Sequence, residues 1–183
     1  IVQPNIKQKN KWILKNREEH LNNLIELSIK YQNSLNNKNR IIIWPETSFE
    51  GSIPREKKLL TNISEKILKN KNTTLILGLL RTDEKKVFNS LVFLNSNGDI
   101  IHNYDKIKLV PFGEYIPFRK YLGALTEMLA PKDFTSGKLK INPSIYAFED
   151  IVTLICYEVL FTNEMVRRIT KNNKLVINIK KDA

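Results

Sequence analysis

Three side chains of this 183-residue sequence could together do covalent chemistry: Glu46, Lys106 and Cys156. A thiol is a strong nucleophile only as thiolate, and with an ordinary pKa of about 8.5 it is mostly protonated near neutral pH. A carboxylate can take that proton as the sulfur attacks, and an ammonium can stabilise the oxyanion that forms when sulfur adds to a carbonyl. Each residue alone has a plainer reading. A lone cysteine after an apolar run is more often an inert small hydrophobe. A glutamate after Trp44-Pro45 is usually a solvated loop residue or a helix cap, and Lys106, with Lys108 beside it, could belong to an ordinary basic loop. Their joint placement argues otherwise. Each lies just beyond the end of an expected element, where a rigid sheet fixes catalytic groups and loops leave room for substrate.

The elements that must position them read as follows. Residues 1–3 look like a first strand. Leu14, Leu21, Leu24, Ile25 and Leu35 recur at helical spacing, so a long helix is expected within 13–35, broken at 36–40. The β-branched run 41–44 reads as a buried strand that Pro45 stops. A second helix carries Leu59, Leu60, Ile63 and Ile67 on its inner face, and 74–80 is the next strand. Residues 87–94 and 99–102 flank Asn95-Ser96-Asn97-Gly98, a hairpin signal, because Asn and Gly tolerate positive φ. Residues 106–143 are rich in Pro and Gly and read as a long functional loop with a short helix near 119–129. Strands at 145–148 and 151–155 turn about Glu149-Asp150; a helix at 161–170 and a strand at 175–179 follow. Strand and helix alternate and then a meander intervenes, which fits one α/β domain with a sheet covered by helices.

Composition narrows the function classes. Thirty Lys+Arg against 19 Asp+Glu give a formal net charge of +11, spread along Asn/Lys-rich connections. Such a surface is either simply solvated or drawn to anionic partners, an anionic bilayer among them. Aromatic and basic residues do not interleave, and no nucleic-acid-binding motif occurs, so no nucleic-acid partner is expected. One cysteine excludes a disulfide within the chain, and with two histidines it argues against a cysteine-based metal site; no metal or cofactor is expected. No apolar run approaches the ~20 residues of a membrane-spanning helix. The chain begins with Ile, and we expect it to be a segment of a longer protein.

The sequence resembles the nitrilase, or carbon-nitrogen hydrolase, superfamily, and within it the extracytoplasmic catalytic domain of apolipoprotein N-acyltransferases. The motifs that carry the likeness are Trp44-Pro45-Glu46, Tyr104-Asp105-Lys106, Leu109-Val110-Pro111-Phe112-Gly113-Glu114-Tyr115 and Cys156-Tyr157-Glu158, in family order and approximate spacing. Gln3-Pro4-Asn5-Ile6-Lys7-Gln8 with Lys11-Trp12 is similar to the start of the family's hydrolase-like domain. Where the family reads Asn-x-Thr/Ser-Asn-Asp and then an aromatic segment, this chain has Asn178-Ile179-Lys180-Lys181-Asp182-Ala183. The resemblance implies an α-β-β-α sandwich, expected to be incomplete at the C-terminal end, with flanking transmembrane helices absent.

It also implies a reaction. Cys156 would take an acyl chain from a membrane phospholipid as a thioester and pass it to the N-terminal amine of a diacylglyceryl-cysteine lipoprotein. The catalytic triad would be Glu46, Lys106 and Cys156. Glu114 is implied as a second carboxylate that orients Lys106 or the nucleophile. Tyr157 and Glu158 are implied in shaping the oxyanion region and its supporting shell, and Trp12 in substrate handling. The implied location is the bacterial inner membrane, with this domain on its periplasmic face. A soluble nitrilase-type amidase, a non-catalytic basic binding protein and an inactive remnant are the alternatives.

Overall fold

Side-chain alternation along one strand decides the layering. Leu75, Leu77 and Leu79 point to one face and Ile76 to the other, and the two faces enter two different cores. The computed structural model describes residues 1–5, 17–30, 39–48, 57–68, 72–122, 133–146, 148–161, 163, 168–169 and 175–180. Within them the elements are α1 (Arg17–Lys30), β1 (Arg40–Ile43), α2 (Lys57–Ile67), β2 (Thr73–Asp83), β3 (Lys86–Leu94), β4 (Ile100–Asp105), the short α3 (Arg119–Leu122), β5 (Val152–Ile155), a 3-10 turn (Cys156–Leu160) and β6 (Val176–Ile179).

Strands β1 to β4 form a sheet in sequence order. The β1–β2 pair is parallel, joined through α2, while β2–β3 and β3–β4 are antiparallel. The change of sense follows from connection length. A parallel pair needs a crossover, whereas Glu84 (φ 51°) and Gly98 (φ 79°) turn the chain back within a few residues. A second sheet holds the parallel pair β5–β6.

One core lies between the helices and the first sheet: Leu24 and Ile25 of α1 and Leu60, Ile63 and Ile67 of α2 meet Leu75, Leu77, Val92 and Leu94. Trp44 is fully buried there and donates its indole N–H to Ser28 Oγ at 2.8 Å, and Ser28 in turn bonds the Leu24 carbonyl at 2.7 Å. Each large apolar side chain buried this way contributes about 1.5–3 kcal/mol. The other core lies between the sheets, where Ile76, Leu91, Phe93 and Tyr104 face Ile151, Ile155, Ile177 and Ile179. Helix, sheet and sheet are thus three layers of the expected sandwich, an α/β nitrilase-like fold. Most of the helix expected at 161–170 lies outside the described residues.

Two expected strands are not strands. Residues 1–3 contribute one backbone bond, from the Val2 N–H to the Ile43 carbonyl at 2.9 Å, beside β1. Among the described residues, Ile145 and Phe148 bond each other, N–H to carbonyl at 2.8 and 3.0 Å, as an isolated bridge, with Tyr146 at φ 55°. Backbone groups spent within four residues have nothing left for a neighbouring strand. Conversely β2 runs past its apolar stretch to Asp83, because Arg81–Asp83 pairs with Lys86–Phe88 across the hairpin. Among the described residues, no helix is long and apolar enough to cross a membrane.

Candidate active site

Glu46, Lys106 and Cys156 leave the ends of β1, β4 and β5, and the structure brings them together with Glu114. Glu46 is buried, 2% exposed, two residues after Trp44 has anchored the strand end in the helix-side core. Its approach to the sheet depends on Gly78 of β2. A Cβ at Gly78 would stand 2.7 Å from Glu46 Cα and 2.8 Å from the Pro45 carbonyl oxygen, closer than side-chain carbons come to backbone. The Glu46 N–H bonds the Lys180 carbonyl at 3.3 Å, so the residue after β6 helps to hold it, whatever the Lys180 side chain does.

Lys106 is 1% exposed, with its N–H held by the Asn89 carbonyl at 2.8 Å. Its ammonium donates to Glu114 Oε1 at 2.9 Å. Glu114 is itself fixed by a tight turn: its N–H bonds the Val110 carbonyl at 2.9 Å and its Oε2 accepts the Val110 N–H at 2.9 Å. This is the physical use of Val110-Pro111-Phe112-Gly113-Glu114, which folds the carboxylate back over the lysine. Beneath the lysine, Asp105 accepts from Arg81 at 3.0 and 3.2 Å and from Ser90 at 2.6 Å. Burial opposes the Asp105 charge, but the Arg81 and Ser90 bonds and the Arg81 charge outweigh it and hold its carboxyl below the usual range.

Cys156 sits where β5 gives way to the 3-10 turn, at φ 57°. Positive φ is costly for a side-chain-bearing residue, and here it turns the sulfur out of the strand toward Glu46 and Lys106. Burial, then the negative charge of Glu46 and its hydrogen bond to the sulfur, push the Cys156 thiol up; the Lys106 charge and the Tyr157 N–H pull against them. The sulfur therefore rests as a thiol beside a ready acceptor. Tyr157 reaches it through its backbone N–H, and the residue is 52% exposed.

Glu158 is buried and binds four donors: the Tyr104 hydroxyl at 2.8 Å, and the N–H groups of Ile107 at 2.8 Å, Lys108 at 3.0 Å and Ile155 at 2.8 Å. It ties the loop after Lys106 to the strand that presents Cys156. Trp12 lies outside the described residues, as do Lys181 and Asp182.

Two participants were not singled out from sequence. Asn89 donates its amide to Glu46 Oε1 at 2.8 Å and to Glu114 Oε1 at 3.2 Å. Arg168 donates to the Tyr104 hydroxyl at 3.1 Å with its guanidinium 4.7 Å from that ring. The signal for Asn89 was present: Asn89-Ser90 is a polar pair inside the apolar run 87–94. Among the described residues, no three His, Cys, Asp or Glu side chains converge as a metal site.

The carbon-nitrogen hydrolase family model matches residues 1–183. The chain belongs to the carbon-nitrogen hydrolase family. Among its curated relatives, the apolipoprotein N-acyltransferase of Brucella suis biovar 1 is 29% identical over 100% of this chain and 36% of the relative. That of Rhizobium rhizogenes is 32% identical over 86% of this chain and 31% of the relative. The chain thus spans about a third of the length of the curated relatives it matches. Solved structures agree on the carbon-nitrogen hydrolase fold. An amidase from Nesterenkonia sp. AN1, with the acetamide moiety of fluoroacetamide on its active-site cysteine, matches with TM-score 0.62 at 15% identity over 90% of this chain and 60% of its own. A CN-hydrolase superfamily protein of Xanthomonas campestris, with an arsenic adduct in its active site, matches with TM-score 0.59 at 14% identity over 90% and 59%.

Proposed function

We propose that this chain is the catalytic domain of an apolipoprotein N-acyltransferase, with Glu46, Lys106 and Cys156 as its catalytic residues. The observation that carries the chemistry is the buried cluster in which Asn89 joins Glu46 to Glu114 and Glu114 pairs with Lys106, with Cys156 within the field of Glu46 and Lys106. The acyl donor and acceptor rest on the similarity of the whole chain to relatives named for that activity.

In the first half-reaction the Cys156 sulfur adds to the ester carbonyl of a phospholipid while its proton passes to Glu46. The oxyanion so formed is stabilised by the Lys106 ammonium, which Glu114 orients. The carbon–oxygen bond then breaks, the departing lysophospholipid oxygen takes the proton from Glu46, and the acyl group stays on sulfur. In the second half-reaction the α-amine of a diacylglyceryl-cysteine adds to the thioester and gives a proton to Glu46. The carbon–sulfur bond breaks, and the sulfur takes the proton back. The backbone N–H of Tyr157 and the anchorage by Glu158 keep the sulfur in place through both steps. Phe112, Phe118 and Tyr121, 76–86% exposed on the segment after Lys106, suit a lipid-facing rim at the inner membrane's outer face.

The test is a two-substrate assay. Phospholipid and a diacylglyceryl-cysteine peptide should give the N-acylated peptide and lysophospholipid in equal amounts. Hydrolysis of small amides, with no product on the peptide, would point to an amidase instead.

A further inference from the structure

Asn89 occupies the middle of the apolar strand β3, where it is 2% exposed. Asparagine is depleted in strands, and a buried carboxamide is costly unless its polar atoms are bonded. This one is bonded on one side only. Both N–H groups go to carboxylates, Glu46 from the end of β1 and Glu114 from the 110–115 turn. The Asn89 Oδ1 is buried with no partner among the described residues. Turning the amide over would set its oxygen against the carboxylate oxygens of Glu46 and Glu114 and point its donors away from both. The strand thus tolerates an orphan acceptor so that two donors can face the carboxylates.

Two carboxylate oxygens within hydrogen-bond distance of one nitrogen are close neighbours. Such pairs, left to themselves, share a proton between them. We infer that Asn89 is a positioning residue that keeps Glu46 and Glu114 as two separate carboxylates, one serving Cys156 and the other Lys106. This rests on the catalytic reading of those residues. The charged and titratable groups around the amide are Glu46, Glu114, Lys106 on the end of β4 and, across Glu46, Cys156 on the end of β5. Lys106 neutralises Glu114 on its far side, and its own N–H is held by the Asn89 carbonyl. One residue therefore spaces the base, its companion carboxylate and the ammonium.

The test is infrared spectroscopy of the folded chain near neutral pH, where exposed carboxyls are ionised. Asn89→Leu removes both donors at similar volume. It should show a carboxylic-acid C=O stretch that wild type lacks, and Glu114→Gln in the same background should abolish it. Asn89→Ala, which removes the amide and adds no ionisable group, should show the same band and decides the matter if the leucine variant does not fold. Acylation of Cys156 by a p-nitrophenyl ester should slow by at least about tenfold in either variant, short of the ~10²–10⁴-fold that loss of a general base costs. Folded variants with no acid band would overturn the inference, as would a band that survives Glu114→Gln. The infrared result needs no substrate, so a wild type that fails to acylate would defeat the catalytic reading and leave the positioning role to be decided spectroscopically.

Discussion

The Tyr104 hydroxyl lies 2.8 and 2.9 Å from the two carboxylate oxygens of Glu158, joining the strand before Lys106 to the turn that begins at Cys156. Burial first, then the Glu158 charge, keeps the Tyr104 phenol protonated far above its ordinary range, so it remains a donor at any ordinary pH. Glu158→Ala strands this hydroxyl and the N–H groups of Ile107, Lys108 and Ile155 without an acceptor. Unfolding in urea should show a loss of about 3–5 kcal/mol. Tyr104→Phe, which removes one donor, should cost about 1–3 kcal/mol.

Gly78→Ala sets a methyl against Glu46 Cα and the Pro45 carbonyl, both backbone atoms that cannot swing aside. Overpacking of this kind costs about 1–3 kcal/mol. The more telling readout is acylation, which should fall more than stability does, because the displaced atom carries the general base. A variant with wild-type burst kinetics would mean that Glu46 has slack.

The strand ends before Glu46 and Cys156 were legible because each residue follows an apolar run rich in β-branched residues, whereas Lys106 follows the polar stretch 102–105 and was placed only by lying past the hairpin. The βαβ-then-meander topology was legible from connection lengths. Residues 145–148 misled because four residues cannot distinguish a strand from a turn whose ends bond each other. The extension of β2 through Arg81–Asp83 was hidden because those residues are polar and fall outside any apolar pattern. Asn89 was missed for a deeper reason. The polar pair Asn89-Ser90 marks the position within an apolar run, but the two partners of Asn89 lie 43 and 25 residues away, so the pattern does not show what it contacts.

Acid should expose the Asp105 network. Its folded carboxyl lies below the unfolded value of about 3.9, so its contribution is present above that pH and is lost as pH falls through the folded value. Wild type should therefore lose stability below about pH 4 more steeply than Asp105→Asn. At neutral pH the variant should be weaker by about 2 kcal/mol, since Arg81 loses a charged partner. Parallel pH–stability curves would contradict this.

Glu46→Gln should speed iodoacetamide alkylation of Cys156 near neutral pH and slow its acylation by an ester. Burial and the Glu46 charge both raise the Cys156 thiol, so removing the charge should shift the pH inflection of iodoacetamide alkylation downward. Ester-driven acylation, which needs the base, should fall by about 10²–10⁴-fold. A common direction for both would mean that Glu46 acts on Cys156 in some way other than as a charged proton acceptor.

The central claim is that Cys156 carries the acyl group. Mass spectrometry of the protein after incubation with phospholipid measures this directly. The wild type should gain the mass of one acyl chain, located on the peptide containing Cys156, and Cys156→Ala should gain nothing. An equal gain in both, or a gain on any other residue, would contradict the account.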